Sequence, residues 1–376
     1  MKQTNWAVVL LLWFAGILAA AQFGKISLVL TEMALAYDLS EATMSLAISC
    51  LSVVGILLGA VAGILVAGFG ARPIILIALI VGAALSVLQS FLLPFPVLLG
   101  TRLIEGASHL ALVVAAPTLM LQLSRPKDQS TIMGLWGTFF GLSFAVTAWI
   151  LPSLIGIGGL PFVFIMHGAA LMVLAVLLWA LLPVTPRNRF DIKWVKEHVQ
   201  LYSDARVVAP ALGFFWHTLI FVALLTFLPD LISDRPWVAA ALPLVSLAGT
   251  FTAGVLARFI PADRIVAVAM GLTIILMPFC QILPVALLAF FVIGLQPGGS
   301  FASVPYFNHS PAAIARANGA IAQLGNLGTA SGTPLFALAI AYGGLTAVIV
   351  TTALICLIGL VCVLWIGFRA KRLGWA

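Results

Sequence analysis

The chain is a succession of continuous apolar runs, each about as long as the hydrocarbon core of a bilayer is thick. A spanning helix needs about 20 apolar residues. Runs of that length predict helices over about 6–35, 42–67, 73–93, 96–122, 130–154 and 161–183. A second set follows over about 208–230, 237–258, 265–281, 284–304, 317–341 and 345–368, and we number all twelve α1 to α12. The runs do not alternate and they carry Gly, Ala and Leu freely, which excludes a membrane β-barrel. Composition excludes the soluble classes. Of 376 residues, 63% are hydrophobic and only 8% charged, with a mean hydropathy of +1.21. That is too little polar surface for a soluble enzyme, a nucleic-acid-binding module or a disordered chain. The expected fold is an all-α polytopic membrane protein with twelve transmembrane helices.

The net charge of +7 is distributed in a way that orients the chain. With the N-terminus inside, the inner segments hold Lys2, Arg72, Arg125, Lys127, Arg187, Arg189, Lys193, Lys196, Arg206, Arg258, Arg264, Arg316, Arg369, Lys371 and Arg372. The outer loops then hold Arg235 alone, beside Asp38, Asp230 and Asp234. This is the positive-inside pattern, and it places both termini in the cytoplasm of a cell whose inner membrane the chain spans. The first apolar run continues past Ala19-Ala20-Ala21 and is too long for a cleaved signal peptide. Cys50, Cys280, Cys356 and Cys362 fall in apolar helices without metal-like spacing and read as small buried hydrophobes.

The longest polar stretch, 184–206, divides the chain. We expect a six-helix bundle over 1–184, a cytoplasmic linker over 185–206 and a second six-helix bundle over 207–376. Within the linker Phe190, Trp194 and Leu201 could share one apolar stripe, as an interfacial helix requires. The two halves also repeat. A shift of 185 residues carries Pro126, Gly134, Gly158, Gly159 and Leu160 onto Pro311, Gly319, Gly343, Gly344 and Leu345, while AGILV at 62–66 answers AGVLA at 253–257. Both copies share one orientation. Parallel repeats of this kind occur in one class of transporters.

On these residues the chain resembles the major facilitator superfamily. The family's loop between α2 and α3 reads G-x-L-x-D-R-x-G-R-R, matched here at Gly63, Leu65, Gly70 and Arg72, with Ala67 and Gly68 in place of the acidic residue and the first arginine. Arg102 and Gly106 resemble its R-x-x-x-G motif on α4, and Gly137 and Gly141 stand on α5 without the Pro found in many antiporters of the family. Met133-Gly134-Leu135-Trp136 is similar to the cyanate-permease-like branch. The resemblance implies two six-helix bundles that expose a central cavity alternately to the two sides of the membrane.

Small residues at i, i+4 and i+8, Gly55, Gly59 and Gly63 on α2, and Gly328 and Gly332 on α11, allow close helix approach. They serve either permanent packing or, with Gly70 and Arg72, gating.

Polar groups at membrane depth are functional candidates by default. α1 carries Gln22, Lys25 and Glu32; Lys25 either faces a cavity or snorkels outward, and Glu32 stands near the helix end. On α4, Arg102, Glu105 and His109 occur at i, i+3 and i+7 along one face. Arg102 either pairs with Glu105 or binds an anion while Glu105 carries a proton, with His109 as the alternative carrier. His217, Gln296, Gln323 and Asn326 complete the substrate-binding candidates. Gln296 precedes Pro297-Gly298-Gly299, where a break in α10 is expected.

His167 is a lone histidine on an apolar helix, His309 sits in a loop, and His198 lacks a second ligand at metal spacing. There is no Walker-type loop. No metal, no cofactor and no enzymatic site is therefore expected. Lys25 and Arg102 against Glu105 leave one positive charge at depth. The expected function is a monomeric secondary active transporter that moves a small organic or inorganic monoanion with a proton. The alternatives are a proton-coupled exporter of amphipathic drugs or metabolites, and a non-transporting assembly factor or transferase.

Overall fold

The computed structural model describes residues 4–44, 46–184, 199, 201–235, 237–372 and 374. Among the described residues eight helical stretches are long and apolar enough to cross a membrane, and Leu46–Gly59 and Ala240–Leu256 are shorter apolar helices. α1 is Trp6–Ser27, capped by the Asn5 side chain, which accepts from the Val8 amide. The expected continuation to residue 35 is interrupted at Leu28 and Val29, and Leu30–Ala36 forms a separate short helix. After the short helix Glu41–Met44, α2 is Leu46–Phe69 and α3 is Ala71–Gln89. Gly70 makes the corner between them at φ 87, a left-handed conformation that costs a side-chain-bearing residue about 1 kcal/mol or more.

α4 is Phe95–Gln122 and α5 begins as Gln129–Gly137. The helical stretch Phe139–Leu181 then holds the rest of α5 and all of α6, broken at Gly158 and Gly159 into 139–157 and 160–181. α7 is Ala205–Ile232, α8 Trp237–Leu256, α9 Ala262–Leu276 and α10 Leu283–Phe307. Pro311–Arg372 holds α11 (311–342) and α12 (345–372), broken at Gly343 and Gly344. The repeat is visible in these angles. Gly158 and Gly159 have φ/ψ of −150/18 and 66/−165, and Gly343 and Gly344 have −154/15 and 53/−141. One Gly-Gly corner closes both halves.

α10 does not break where the sequence suggested. It runs unbroken through Pro297 and Pro305. A proline removes one helical hydrogen bond, which a membrane helix tolerates when neighbours enclose it. Gly298 and Gly299 use their missing side chains for that enclosure, against the Thr250 carbonyl of α8 and Val266 of α9.

The apolar core has a shape that bears on function. One cluster, around Ile26, Met33, Leu98 and Phe164, belongs wholly to α1–α6 and the segments between them. Another, from Leu219 to Val363, belongs wholly to α7–α12. The largest runs across both, joining Val8, Ala116 and Ile132 to Val208, Phe301 and Ala320. It lies toward the end of the bundle that carries Arg258 and Asp128, whose side chains pair at 3.5 Å. Thr4 donates to the same Asp128 at 2.7 Å. We refer to this as the basic end. The halves are welded there and have separate cores at the other end.

Of the linker, Val199 and 201–203 are described and helical, and Leu201 is buried in the shared core. Phe190, Trp194 and the remainder of 185–198 lie outside the described residues.

Candidate functional site

Between the halves lies a cavity. Helices α1, α4, α5, α7, α8, α10 and α11 contribute to its wall, which is largely aromatic: Phe23, Trp136, Phe140, Phe214, Phe221 and Phe301. No Asp, Glu, Lys or Arg is among its described lining residues. Its polar groups are His109 from the first half, His217, Asn318 and Asn326 from the second, and a few hydroxyls.

The two histidines enter in similar company. His109 meets the Phe23 ring edge-on at 5.0 Å between centroids, and its Nδ1 lies 2.9 Å from the Ala19 carbonyl. A carbonyl can only accept, so Nδ1 carries the hydrogen and Nε2 is left uncommitted to the backbone. His217 stacks on Phe221 at 4.7 Å and tilts against Phe214 at 5.9 Å. Its neighbour is Gln296, and its buried Nδ1 has no hydrogen-bond partner.

The charged candidates are elsewhere. Lys25, Arg102, Glu105 and Gln22 are fully buried inside the first half and do not line the cavity. Lys25 Nζ lies 2.6 Å from Glu105 Oε1, and Arg102 Nη1 bonds Glu105 Oε2. Gln89 of α3 donates to Glu105 Oε2 at 2.8 Å. Arg102 also donates to the carbonyls of Ala47 on α2 and Gln22 on α1, both at 2.8 Å. Lys25 donates to Ser86 at 3.0 Å and sits over the Phe164 ring. Arg102 and His109 share a face of α4, yet they differ in depth by two turns. At Arg102 that face is covered by α1 and α2; at His109 it opens onto the cavity. Lys25 does not snorkel, and Glu32 is exposed.

His167 is not a lone core histidine. Its Nδ1 lies 3.0 Å from Ser86 and its Nε2 3.0 Å from the Leu18 carbonyl, so it ties α6 to α3 and α1. Ser86, Gln89 and Ser108 are partners that the sequence reading passed over, and so is Asn318 in the cavity.

The remaining candidates divide by interface. Gln296 is buried behind the cavity, donating to Thr273 at 3.1 Å. Gln323 faces α2, donates to the Ile56 carbonyl at 2.6 Å, and accepts from Tyr202 at 2.7 Å. Gly55 meets Asn326, Gly59 meets Gln323, and Gly63 meets the Ala315 backbone, so all three close α2 on α11. Gly328 and Gly332 instead pack on α7, within the second half, against Thr218 and the Leu219 carbonyl. Arg72 donates to the Trp179 carbonyl of α6 at 2.8 Å, within the first half. Among the described residues no group of three or more His, Cys, Asp or Glu could hold a metal ion.

The sequence model described as "Major Facilitator Superfamily" matches residues 12–322. The chain belongs to that superfamily. Among solved structures, this major facilitator is similar to the human organic anion transporter MFSD10 (TETRAN), with a TM-score of 0.77 at 18% identity, covering 96% of this chain and 100% of that one. It is also similar to the proton:xylose symporter XylE bound to 6-bromo-6-deoxy-D-glucose, with a TM-score of 0.76 at 13% identity, covering 96% and 95%. The transporter FucP in its outward conformation gives 0.71 at 15%, covering 95% and 98%. At these identities the likeness is one of fold. Among curated protein sequences none matches the chain. The superfamily and these neighbours are transporters, not enzymes, and the protein is a multi-pass membrane protein of the same twelve-helix architecture.

Proposed function

We propose that the protein is a secondary active carrier of a small organic monoanion, moved with a proton by alternating access of its two six-helix halves in the inner membrane. The observation that carries this reading is the cavity itself: His109 and His217 face one aromatic chamber from opposite halves, with no carboxylate in the described lining. The aromatic wall favours an organic body over an inorganic ion. Behind His109 the buried set of Lys25, Arg102 and Glu105 holds two cations against one carboxylate. Its surplus positive charge acts through a low-dielectric interior and favours an anion.

Proton coupling follows from the tautomer of His109. With Nδ1–H given to Ala19, Nε2 can donate to a substrate carboxylate only after it takes up a proton. Proton and anion then favour each other's binding. In this reading Glu105 is the fixed counter-ion of Lys25 and Arg102. The basic end is the cytoplasmic one, so the welded core closes the chain inward and leaves it facing outward. The protein acts as a monomer.

The test is uptake of labelled 3-phenylpropionate by proteoliposomes under an inward proton gradient. Accumulation that collapses with a protonophore is expected; no uptake of any organic monoanion would sink the proposal. The apolar wall also suits export of amphipathic neutral compounds. If 3-phenylpropanol raises the melting temperature of the purified protein as much as 3-phenylpropionate does, that second reading replaces the first.

A further inference from the structure

Four buried amide side chains share one arrangement. Asn318 Nδ2 donates to Thr118 Oγ1 at 3.2 Å, and the Thr118 hydroxyl gives its hydrogen to the Val114 carbonyl at 2.7 Å. Gln296 does the same with Thr273, which donates to Ala269. Gln22 does so with Ser108, which donates to Ala78, and Gln89 with Thr101, which donates to Leu98. A hydroxyl has one hydrogen. Once that is spent on a backbone carbonyl, the oxygen can only accept, so the amide nitrogen must face it and the amide orientation is fixed. In all four cases the amide oxygen is then buried without a partner.

A buried acceptor left unmade is costly, so such an oxygen on a residue that lines a cavity marks a place for a donor. Gln22, Gln89 and Gln296 are sealed among helices. Asn318, 2% exposed, is the one of the four that lines the cavity. Its amide nitrogen is held by a bond that crosses from α11 to α4.

We propose that the transported anion carries, besides its charge, a neutral hydroxyl group that Asn318 Oδ1 receives. The donor is a hydroxyl and not an ammonium, because no carboxylate is among the described lining residues and the nearby buried charge is already positive in sum. The substrate class is therefore a hydroxy monocarboxylate with an apolar body. This inference rests on the monoanion reading above and adds Asn318 as a specificity-determining residue, with Thr118 as the residue that positions it.

The experiment titrates the purified full-length protein with 3-phenyllactate and 3-phenylpropionate, which differ by one hydroxyl. A site built to bond a hydroxyl discriminates strongly against the analogue that lacks it. The native protein is expected to prefer phenyllactate by about tenfold or more, a free-energy difference of about 1.4 kcal/mol. In Asn318→Leu the ratio should fall to near one while phenylpropionate still binds. Thr118→Val keeps the amide but frees it to turn, so the preference should drop there too, which protects the test if Asn318→Leu does not fold. Equal native binding of both acids would overturn the inference and leave the anion reading standing. Binding of neither would overturn the anion reading, and the inference with it. A preference that survives in both variants would place the hydroxyl elsewhere and reject Asn318.

Discussion

Gly134 of α5 and Gly254 of α8 meet backbone to backbone, so closely that a Cβ built on either lands on the other's Cα. The repeat makes this contact one of a pair. The 185-residue shift carries Gly134 to Gly319, and the AGILV/AGVLA match carries Gly63 to Gly254. Gly319 in turn lies against the Gly59 carbonyl and next to Gly63. Two crossings of equivalent residues, α5 on α8 and α11 on α2, thus seal the basic end. Asn318 and Gln323, which bridge the halves, lie on the same stretch of α11.

A side chain at either crossing has backbone, not a movable side chain, in its way. Gly254→Val should therefore hold the basic end open. Overpacking costs typically about 1–3 kcal/mol, which shifts the closed population by about fivefold or more. Labelling of an introduced Thr118→Cys by a thiol reagent from the basic side should accelerate accordingly, and gradient-driven uptake should fall. Unchanged labelling would mean that this contact is packing alone.

The charge count inside the first half ranks three substitutions. Lys25→Met leaves Arg102 paired with Glu105 and removes the surplus charge. Arg102→Met leaves Lys25 paired with Glu105 but loses two further bonds to backbone carbonyls. Glu105→Gln leaves two buried cations with no counter-ion, the kind of loss that costs about 3–5 kcal/mol. Thermal unfolding of the purified variants should thus be least affected by Lys25→Met and most by Glu105→Gln. Any other order would show that the set is not neutralised through Glu105.

Much of the fold was legible in the sequence because membrane helices announce themselves by length and glycine corners by conformation. Gly158-Gly159 and Gly343-Gly344 could be paired by spacing, and their backbone angles agree. The break in α1 at Leu28 and Val29 was not legible, since apolar residues continue through it. The continuity of α10 through Pro297 depends on α8 and α9, which a local reading of one helix does not contain. In the site, the i, i+3, i+7 spacing of Arg102, Glu105 and His109 gave the shared face of α4 but not the depth at which it is covered. The stripe Asn318, Ile321, Ala322, Gly325, Asn326 and Thr329 was readable at i, i+3, i+4, i+7, i+8 and i+11, and it lines the cavity. Gln323 is off that stripe and faces α2.

The two glycine corners allow a direct comparison. Gly159 and Gly344 occupy the region of positive φ with ψ beyond −140, where side chains cost about 1–3 kcal/mol. A Cβ at Gly344 meets nothing within 4 Å, and one at Gly159 meets only Pro161 Cδ at 3.6 Å. Gly159→Ala and Gly344→Ala should therefore lower stability by similar amounts, both from backbone strain. A large difference in melting temperature between them would show that the corners are not equivalent.

His109 is the group on which the coupling proposal turns. Its Nδ1 hydrogen is committed to the Ala19 carbonyl, so the ring offers the cavity an acceptor when neutral and a charged donor when protonated. Anion affinity of the native protein should therefore rise as pH falls. His109→Gln keeps a donor for Ala19 and cannot take up a proton. Binding of 3-phenylpropionate by this variant should be weaker and flat with pH. A proton gradient should no longer drive accumulation, whereas exchange of internal for external anion, which needs no net proton movement, should continue. The Glu105→Gln protein, so far as it folds, should keep its pH dependence, because Glu105 does not face the cavity. Gradient-driven accumulation by His109→Gln at the native level would rule His109 out as the proton carrier, and its loss in Glu105→Gln alone would return that role to the carboxylate.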